Sequence, residues 1–238
     1  MLSEKPWKLV DFLVVMALLC TMFLMGVVVN LMGQAKAGYD TAIDPTIGFV
    51  FYVCVCGVIV GFIHLMVRSR GANWGRAFGF RWAQQTSALL TALGVTLIVF
   101  PTALFLRTAS AEMMDKLQLQ PVTQPSVEML QTTVAIAPQI YLAIQAVVFA
   151  PLIEELLFRG ILYPFIRQQG YPKLALLGTS VLFGALHLNM VLFVPMTFLG
   201  LMLVWLYEKT DNLAAPIFSH SLFNLANFLW AIVAKQAA

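Results

Sequence analysis

The sequence predicts an all-α, polytopic transmembrane helical bundle of about seven spans, with a range of about six to eight. Composition is the first reason: the 238-residue chain is 61% hydrophobic and only 11% charged, whereas soluble domains average about 25% charged residues. The second reason is arrangement, because the apolar residues form long runs and a membrane-spanning helix needs about 20 of them. Little length remains for a sizeable soluble domain.

Seven apolar runs follow one another along the chain. The predicted spans are residues 9–32, 47–67, 86–107, 138–166, 173–189, 191–208 and 212–233. The first run is longer than the roughly 7–15 residues of a secretory signal core, so a retained span is expected there. The break at 109–132 carries Glu112, Asp115, Lys116 and Glu128 and is predicted to be an exposed loop.

Lysines and arginines in the short loops predict the orientation, because cytoplasmic loops are enriched in these residues. If seven spans alternate, one side receives Lys5, Lys8, Arg68, Arg70, Arg76, Arg81, Arg167 and Lys173. That side is predicted to be cytoplasmic, with the N-terminus inside and the C-terminus outside. No basic face recurs elsewhere, so a nucleic-acid partner is not expected.

Residues 1–130 are interpreted as N-terminal membrane spans that include a cytoplasmic interfacial segment at 68–85. Aromatic residues alternate with arginines in that segment, which is typical of an amphipathic stretch at the membrane surface. The aromatic residues are Trp74, Phe78, Phe80 and Trp82. Residues 131–238 are interpreted as a separate helical core that carries the chemistry.

Strongly polar residues are rare within the predicted spans, and an ionised side chain there costs at least a few kcal/mol. Those that point to a site are Glu154, Glu155, Arg159, His187, His220 and Asn224. A helical rise of about 1.5 Å per residue from the cytoplasmic edge places all three segments in one layer. This requires the helix with the glutamates to continue through Ile166. The alignment predicts one site that is open to water.

Helical spacing predicts different roles for the two adjacent glutamates. Glu155 and Arg159 are four residues apart with the acid first, the favourable order for a helical ion pair. Glu154 lies about 100° around the helix from Glu155, so it need not take part in that ion pair. Its charge is therefore available for catalysis. His220 and Asn224 share one helical face.

Two kinds of chemistry suit these residues. A carboxylate beside a neutral imidazole can position and deprotonate a water, while a second histidine and an amide stabilise an oxyanion. Alternatively, Glu154, His187 and His220 could ligate zinc and leave a position for water. Both interpretations lead to amide hydrolysis within a membrane, and the sequence leaves open whether the cofactor is zinc or none.

Three motifs carry a resemblance to a known family. They are Glu154-Glu155-Leu-Leu-Phe-Arg159, Phe183-Gly-Ala-Leu-His187 and His220-Ser-Leu-Phe-Asn224. Their order and spacing resemble the CPBP intramembrane proteases, which include the CAAX prenyl endopeptidases of Rce1 type and the bacterial Abi proteins. The first 130 residues share only hydropathy with that family.

The resemblance implies an Rce1-like fold, with 131–238 as a CPBP/Abi-type catalytic core. It implies that Glu154 acts as general base with His187 on a water, and that His220 and Asn224 stabilise the oxyanion. It also implies that Glu155, Arg159 and Phe183 support the site. The family has been described both as metal-dependent and as using glutamate without a metal.

The function implied is that of an intramembrane endopeptidase for a membrane-associated peptide or lipidated protein, of CAAX type or in bacteriocin and peptide processing. The expected partners are membrane lipid and that substrate. The expected location is a bacterial inner membrane, with the site opening toward the cytoplasm. A non-catalytic immunity or scaffold protein using the same polar network is the alternative. An ion-coupled transporter is a third interpretation, which the absence of internal repeats weighs against.

Overall fold

The computed structural model describes residues 2–35, 44–80, 85–119 and 135–237. Regular structure within these ranges is entirely helical, which confirms the all-α bundle. The helices are α1 (Leu9–Ala35), α2 (Pro45–Ser69), α3 (Trp74–Phe78), α4 (Gln85–Lys116), α5 (Ile136–Gln168), α6 (Pro172–Ala185), α7 (Met190–Thr210) and α8 (Ala214–Ala237).

Five helices of the described chain, α2, α4, α5, α7 and α8, are long and apolar enough to cross a membrane. In α1, the apolar stretch with described side chains is Leu9–Thr21. Large apolar side chains cover the outer faces; Phe51, Val58 and Leu97 are 70%, 72% and 69% exposed. An apolar outer surface of this kind is stable against lipid rather than water. The chain is therefore an integral membrane protein.

The fifth predicted span is shorter than its hydropathy indicated. Helix α6 ends at Ala185, whereas the apolar run continues to 189. The reason is Asn189, whose side chain accepts a hydrogen bond from the backbone N–H of Leu192 and caps α7. Fourteen residues rise only about 21 Å, less than the roughly 30 Å of a hydrocarbon core. His187 consequently lies in the turn after α6, not on a spanning helix.

Helices α6 and α7 approach each other closely because small residues face each other. A Cβ on Gly200 would lie 3.0 Å from the Cα of Ser180, and one on Gly184 would overlap the side chain of Thr197. Small residues allow close backbone contact between membrane helices. At Gly200 the backbone carbonyl of α7 can therefore accept a hydrogen bond from a side chain of α5.

One end of the bundle gathers segments that are distant in sequence. Lys5 pairs with Asp211 at 2.8 Å, and Arg70 pairs with Asp11 at 2.8 Å. Burial acts to raise the pKa of Asp211, but hydrogen bonds from Lys5 and Ser3 outweigh it and hold that pKa below its ordinary value. These contacts place the predicted cytoplasmic segments at the same end. Which side of the membrane that end faces stays a prediction.

The predicted interfacial segment is partly a packing element. Phe78, at the end of α3, is completely buried, and its ring lies 5.5 Å from that of Trp7. Gly79 follows with φ +77°, and a Cβ there would overlap the backbone carbonyl of Asp211. The α3 segment thus packs on the turn between α7 and α8. The other predicted members Arg81 and Trp82 lie outside the described residues.

The predicted loop at 109–132 begins later than expected. Helix α4 continues to Lys116 and carries Glu112 and Asp115. Residues 109–116 contain neither glycine nor proline, and Ala, Glu, Met and Lys favour helix, so nothing in this stretch ends the helix. Glu128 lies outside the described residues.

Candidate active site

Helix α5 carries the two glutamates and has two irregular turns. Residues Gln145–Phe149 and Leu156–Leu162 are π-helical, and each segment is followed by a proline, Pro151 or Pro164. Proline has no N–H to give to the helical ladder, and π turns are frequent at functional sites. The helix nevertheless continues to Gln168. This confirms the predicted continuation through Ile166.

The ion pair between Glu155 and Arg159 is confirmed. A guanidinium N–H of Arg159 donates to Oε1 of Glu155 at 2.8 Å, and neither residue is exposed. A second N–H of Arg159 donates to the Gly200 carbonyl at 3.0 Å, which the close packing of α6 and α7 makes possible. The guanidinium also lies 4.5 Å from the centre of the Phe183 ring. The charge of Glu155 is therefore neutralised and fixed inside the bundle.

His220 joins this pair, a contact that spacing alone did not predict. Its Nδ1 lies 2.9 Å from Oε1 of Glu155. A carboxylate paired with arginine can only accept, so Nδ1 carries the proton and donates. The other ring nitrogen, Nε2, lies 3.8 Å from Oε2 of Glu154. His220 thus lies between the two glutamates, bonded to one and facing the other.

Glu154 differs from its neighbour in exposure and in partners. Its side chain is 25% exposed, while Oε2 is buried and has no hydrogen-bond partner among the described residues. The 3.8 Å to Nε2 of His220 is too long for a direct hydrogen bond. A single water could reach both atoms across that distance. Glu154 is accordingly the glutamate with capacity left for a water.

His187 is oriented by its own segment. Its Nδ1 lies 2.8 Å from the backbone carbonyl of Phe183. A carbonyl can only accept, so Nδ1 carries the proton and Nε2 presents a lone pair when the ring is neutral. The Phe183 ring packs edge-on against the rings of both His187 and His220, at 5.1 and 5.6 Å. The two imidazoles therefore lie on one aromatic ring, in the same tautomer.

Asn224 binds the backbone of α5. Its Nδ2 donates to the carbonyl of Ala146 at 2.8 Å. Ala146 lies five residues before Pro151, the spacing of a π-helical bond that proline cannot make. Asn224 therefore supplies a donor that α5 lacks, and one of its two amide protons remains for another acceptor.

Several neighbours of the site were not predicted from the sequence. They are the backbone carbonyls of Ala146 and Gly200 and the hydroxyls of Thr96 and Ser219, which lie 2.8 Å apart beside His220. The only local signal for any of them is Pro151, whose missing N–H indicates a carbonyl that needs a partner. A surface depression of about 490 Å³ lies elsewhere, at the α2–α3 turn, and no predicted site residue lines it.

The predicted zinc set consists of Glu154, His187 and His220, and the structure shows how the two histidines are oriented. Both histidines have Nδ1 held by an acceptor, as metal-binding histidines commonly do. Within the described ranges, however, no three His, Cys, Asp or Glu side chains are grouped closely enough to hold one ion. Zinc ligation by Glu154, His187 and His220 stays a prediction.

Comparison with known proteins found a family and a relative that this chain resembles. Residues 136–226 match the family described as Rce1-like, "Type II CAAX prenyl endopeptidase Rce1-like". Over 77 residues the chain is 30% identical to "Putative membrane peptidase YdiL" of Bacillus subtilis (strain 168), a stretch that covers 32% of this chain and 32% of that protein. No solved structure matches.

The matched family segment contains all three polar motifs and the helices that carry them, from the start of α5 into α8. The resemblance predicted from those motifs is confirmed: residues 136–226 are similar to the Rce1-like family.

Proposed function

We propose that the chain is an intramembrane endopeptidase with Glu154 as general base. Its substrate is a membrane-associated peptide or protein, of CAAX type or a precursor in bacteriocin or peptide processing. The observation that carries the proposal is the buried Oε2 of Glu154, without a partner among the described residues and 3.8 Å from Nε2 of His220. The family match supports the reaction class.

Hydrolysis then follows from proton transfer at Glu154. Glu154 takes a proton from a water as the water oxygen attacks the carbonyl carbon of the peptide bond. The new C–O bond leaves the former carbonyl oxygen as an oxyanion. When the C–N bond breaks, Glu154 returns the proton to the leaving amine nitrogen. General base catalysis of this kind contributes about 10²- to 10⁴-fold.

The other site residues hold the water and the developing charge. Besides the proton taken by Glu154, the water has one O–H left, which Nε2 of a neutral His187 or His220 accepts. The remaining amide proton of Asn224 donates to the oxyanion, and so does a histidine that already carries a proton on Nε2 before the attack. Glu155 keeps His220 oriented, and Arg159 neutralises Glu155.

The proposed setting is a bacterial inner membrane with the N-terminus in the cytoplasm and the site opening toward it. The apolar outer surface supports a lipid environment. The clustering of Lys5, Arg70 and Arg167 near one end of the bundle supports a cytoplasmic assignment of that end.

The test compares wild type with Glu154→Gln, which removes the base and keeps the shape. Cleavage of membrane peptides by purified protein is expected to fall more than about 100-fold, with the unfolding temperature unchanged. Comparative proteomics of membranes containing either protein would identify the substrates. Glu112→Gln, an exposed acid on α4, is the matched control and should cleave normally.

Full cleavage by Glu154→Gln would overturn the proposal. The immunity or scaffold alternative predicts another pattern, in which substitutions at Glu154, His187 and His220 reduce stability and biological effect in parallel. Measuring thermal unfolding beside cleavage for all three variants separates these outcomes.

A further inference from the structure

The N-terminal segment reaches the active-site helix through one buried hydrogen bond. The indole N–H of Trp7 donates to the backbone carbonyl of Gly160 at 2.6 Å, across 153 residues of sequence. Trp7 is only 6% exposed. Gly160 directly follows Arg159 within the π-helical segment Leu156–Leu162. This bond therefore joins residues 2–8 to the helix that carries the glutamates.

The Gly160 carbonyl needs a donor from outside its helix. The N–H of Tyr163 donates to the carbonyl of Phe158, five positions earlier, and the helix is α-helical again from Tyr163 onward. In that α-helical register the donor to Gly160 would be the N–H of residue 164, four positions later. That residue is Pro164, which has no N–H. A buried carbonyl without a partner is unfavourable, so the indole of Trp7 supplies what the helix cannot.

Packing fixes this contact in place. A Cβ on Gly160 would lie 2.8 Å from the ring of Phe78, and the Phe78 ring in turn packs against Trp7. Gly160 is thus held between the N-terminal segment and α3. Neither element contains a predicted catalytic residue.

We infer that Trp7 is a positioning residue for the reaction proposed above, on which this inference rests. By bonding Gly160, Trp7 sets the path of α5 just beyond Arg159. Arg159 holds Glu155, Glu155 holds His220, and His220 faces Glu154. A displacement at Gly160 is therefore transmitted to the two groups that hold the water.

The other π-helical segment shows a related arrangement, in which the proline lies five positions after the carbonyl instead of four. There Pro151 follows the irregular turn, and Asn224 donates to the carbonyl of Ala146. Backbone carbonyls of α5 before and after the two glutamates therefore accept hydrogen bonds from side chains of other elements. Asn224 comes from the family-like segment, whereas Trp7 comes from the part of the chain that shares only hydropathy with the family.

The first test is Trp7→Phe, which keeps an aromatic ring on Phe78 and removes the N–H. Cleavage by the full-length protein in membranes, measured well below its unfolding temperature, should show kcat reduced about 10- to 100-fold. KM should change less than twofold, because the buried Trp7 side chain leaves little surface for a substrate to contact. Trp205→Phe is the matched control, since Trp205 is exposed on α7 and should keep normal kcat.

The second test is a double-mutant cycle with Pro164→Ala, which returns a backbone N–H to residue 164. In that background Trp7→Phe is expected to change kcat less than twofold. An unchanged kcat for Trp7→Phe alone, or an equal loss in both backgrounds, overturns the positioning role. Glu154→Gln serves as the reference: if it is inactive while Trp7→Phe is normal, only the role of Trp7 fails. If Glu154→Gln is fully active, the proposed function itself fails.

Discussion

Two charged clusters in this protein use the same types of side chain in opposite ways. The docking cluster, Ser3, Lys5 and Asp211, lies at one end of the bundle. There Oδ1 of Asp211 accepts from the backbone N–H and hydroxyl of Ser3 and from the Lys5 ammonium, at 3.2, 3.0 and 2.8 Å. The site cluster comprises Glu154, Glu155, Arg159 and His220. In it Oε2 of each glutamate and Nε of Arg159 are buried without a hydrogen-bond partner among the described residues.

The difference indicates what each cluster is for. A buried polar group without a partner costs about 1–3 kcal/mol, and charged groups cost more. A cluster that only holds helices together gains by satisfying its groups, as the docking cluster does at Asp211. Unused hydrogen-bonding capacity at depth is expected where water or substrate binds. The contrast is clearest between Asp211, whose Oδ1 accepts three hydrogen bonds, and the two glutamates, each of which has a buried Oε2 without a partner among the described residues.

Removing one member of the site cluster should have the largest effect on stability. Arg159→Met leaves Glu155 charged and buried without its partner. Breaking a buried ion pair in this way should lower the free energy of unfolding by about 3–5 kcal/mol. Arg167→Met, on the same helix, breaks a pair with Glu208 whose side chains are 27% and 38% exposed, and should cost at most about 1 kcal/mol. Denaturation in detergent measures both. Equal losses would mean that the site cluster is no more dependent on pairing than a surface ion pair.

A smaller effect is expected where the docking cluster meets α3. Gly79→Ala combines a positive φ with a Cβ that overlaps the Asp211 carbonyl, so a loss of about 2–3 kcal/mol is expected. Gly71 also has a positive φ, of 63°, but nothing lies within 4 Å of its Cβ position. Gly71→Ala is therefore the control and should cost about 1 kcal/mol. If thermal unfolding shows equal losses, close packing at Asp211 is not what stabilises this end.

The smallest effect concerns the pH dependence of the docking cluster. The pKa of Asp211 is lowered by folding from an ordinary value of 3.8. Its contribution is therefore fully present above that value and is lost as the pH falls below it, through the folded pKa. Asp211→Asn should lower stability by about 1–2 kcal/mol at neutral pH. That difference should narrow below about pH 4 in unfolding measured from pH 7 to pH 3. A difference independent of pH would show that the charge of Asp211 contributes nothing.

The contacts that follow from helical spacing could be predicted from the sequence. The pairing of Glu155 with Arg159 is local, and the depth of His220 relative to the glutamates follows from counting residues. Hydropathy predicts an end of α6 that is too late, because hydropathy does not detect a helix cap. Asn189 immediately before an apolar run is the signal that could have corrected it.

The contacts that join distant segments could not be predicted in this way. Nothing near Glu155 indicates His220 as its partner, because that contact depends on how α5 and α8 pack. The hydrogen bond between Trp7 and Gly160 is equally impossible to predict from the sequence. Pro164 indicates only that a carbonyl one turn earlier lacks its donor. Sequence thus identifies groups that need partners more readily than it identifies the partners.

The separation of these partners has a consequence for synthesis. Membrane chains emerge N-terminal end first, yet Trp7 bonds a residue 153 positions later and Lys5 bonds one 206 positions later. Glu155 likewise meets His220 only after a further 65 residues have been made. A nascent chain that stops before α8 therefore contains both glutamates but lacks the imidazole that lies between them. The proposed site can form only after α8 has been made.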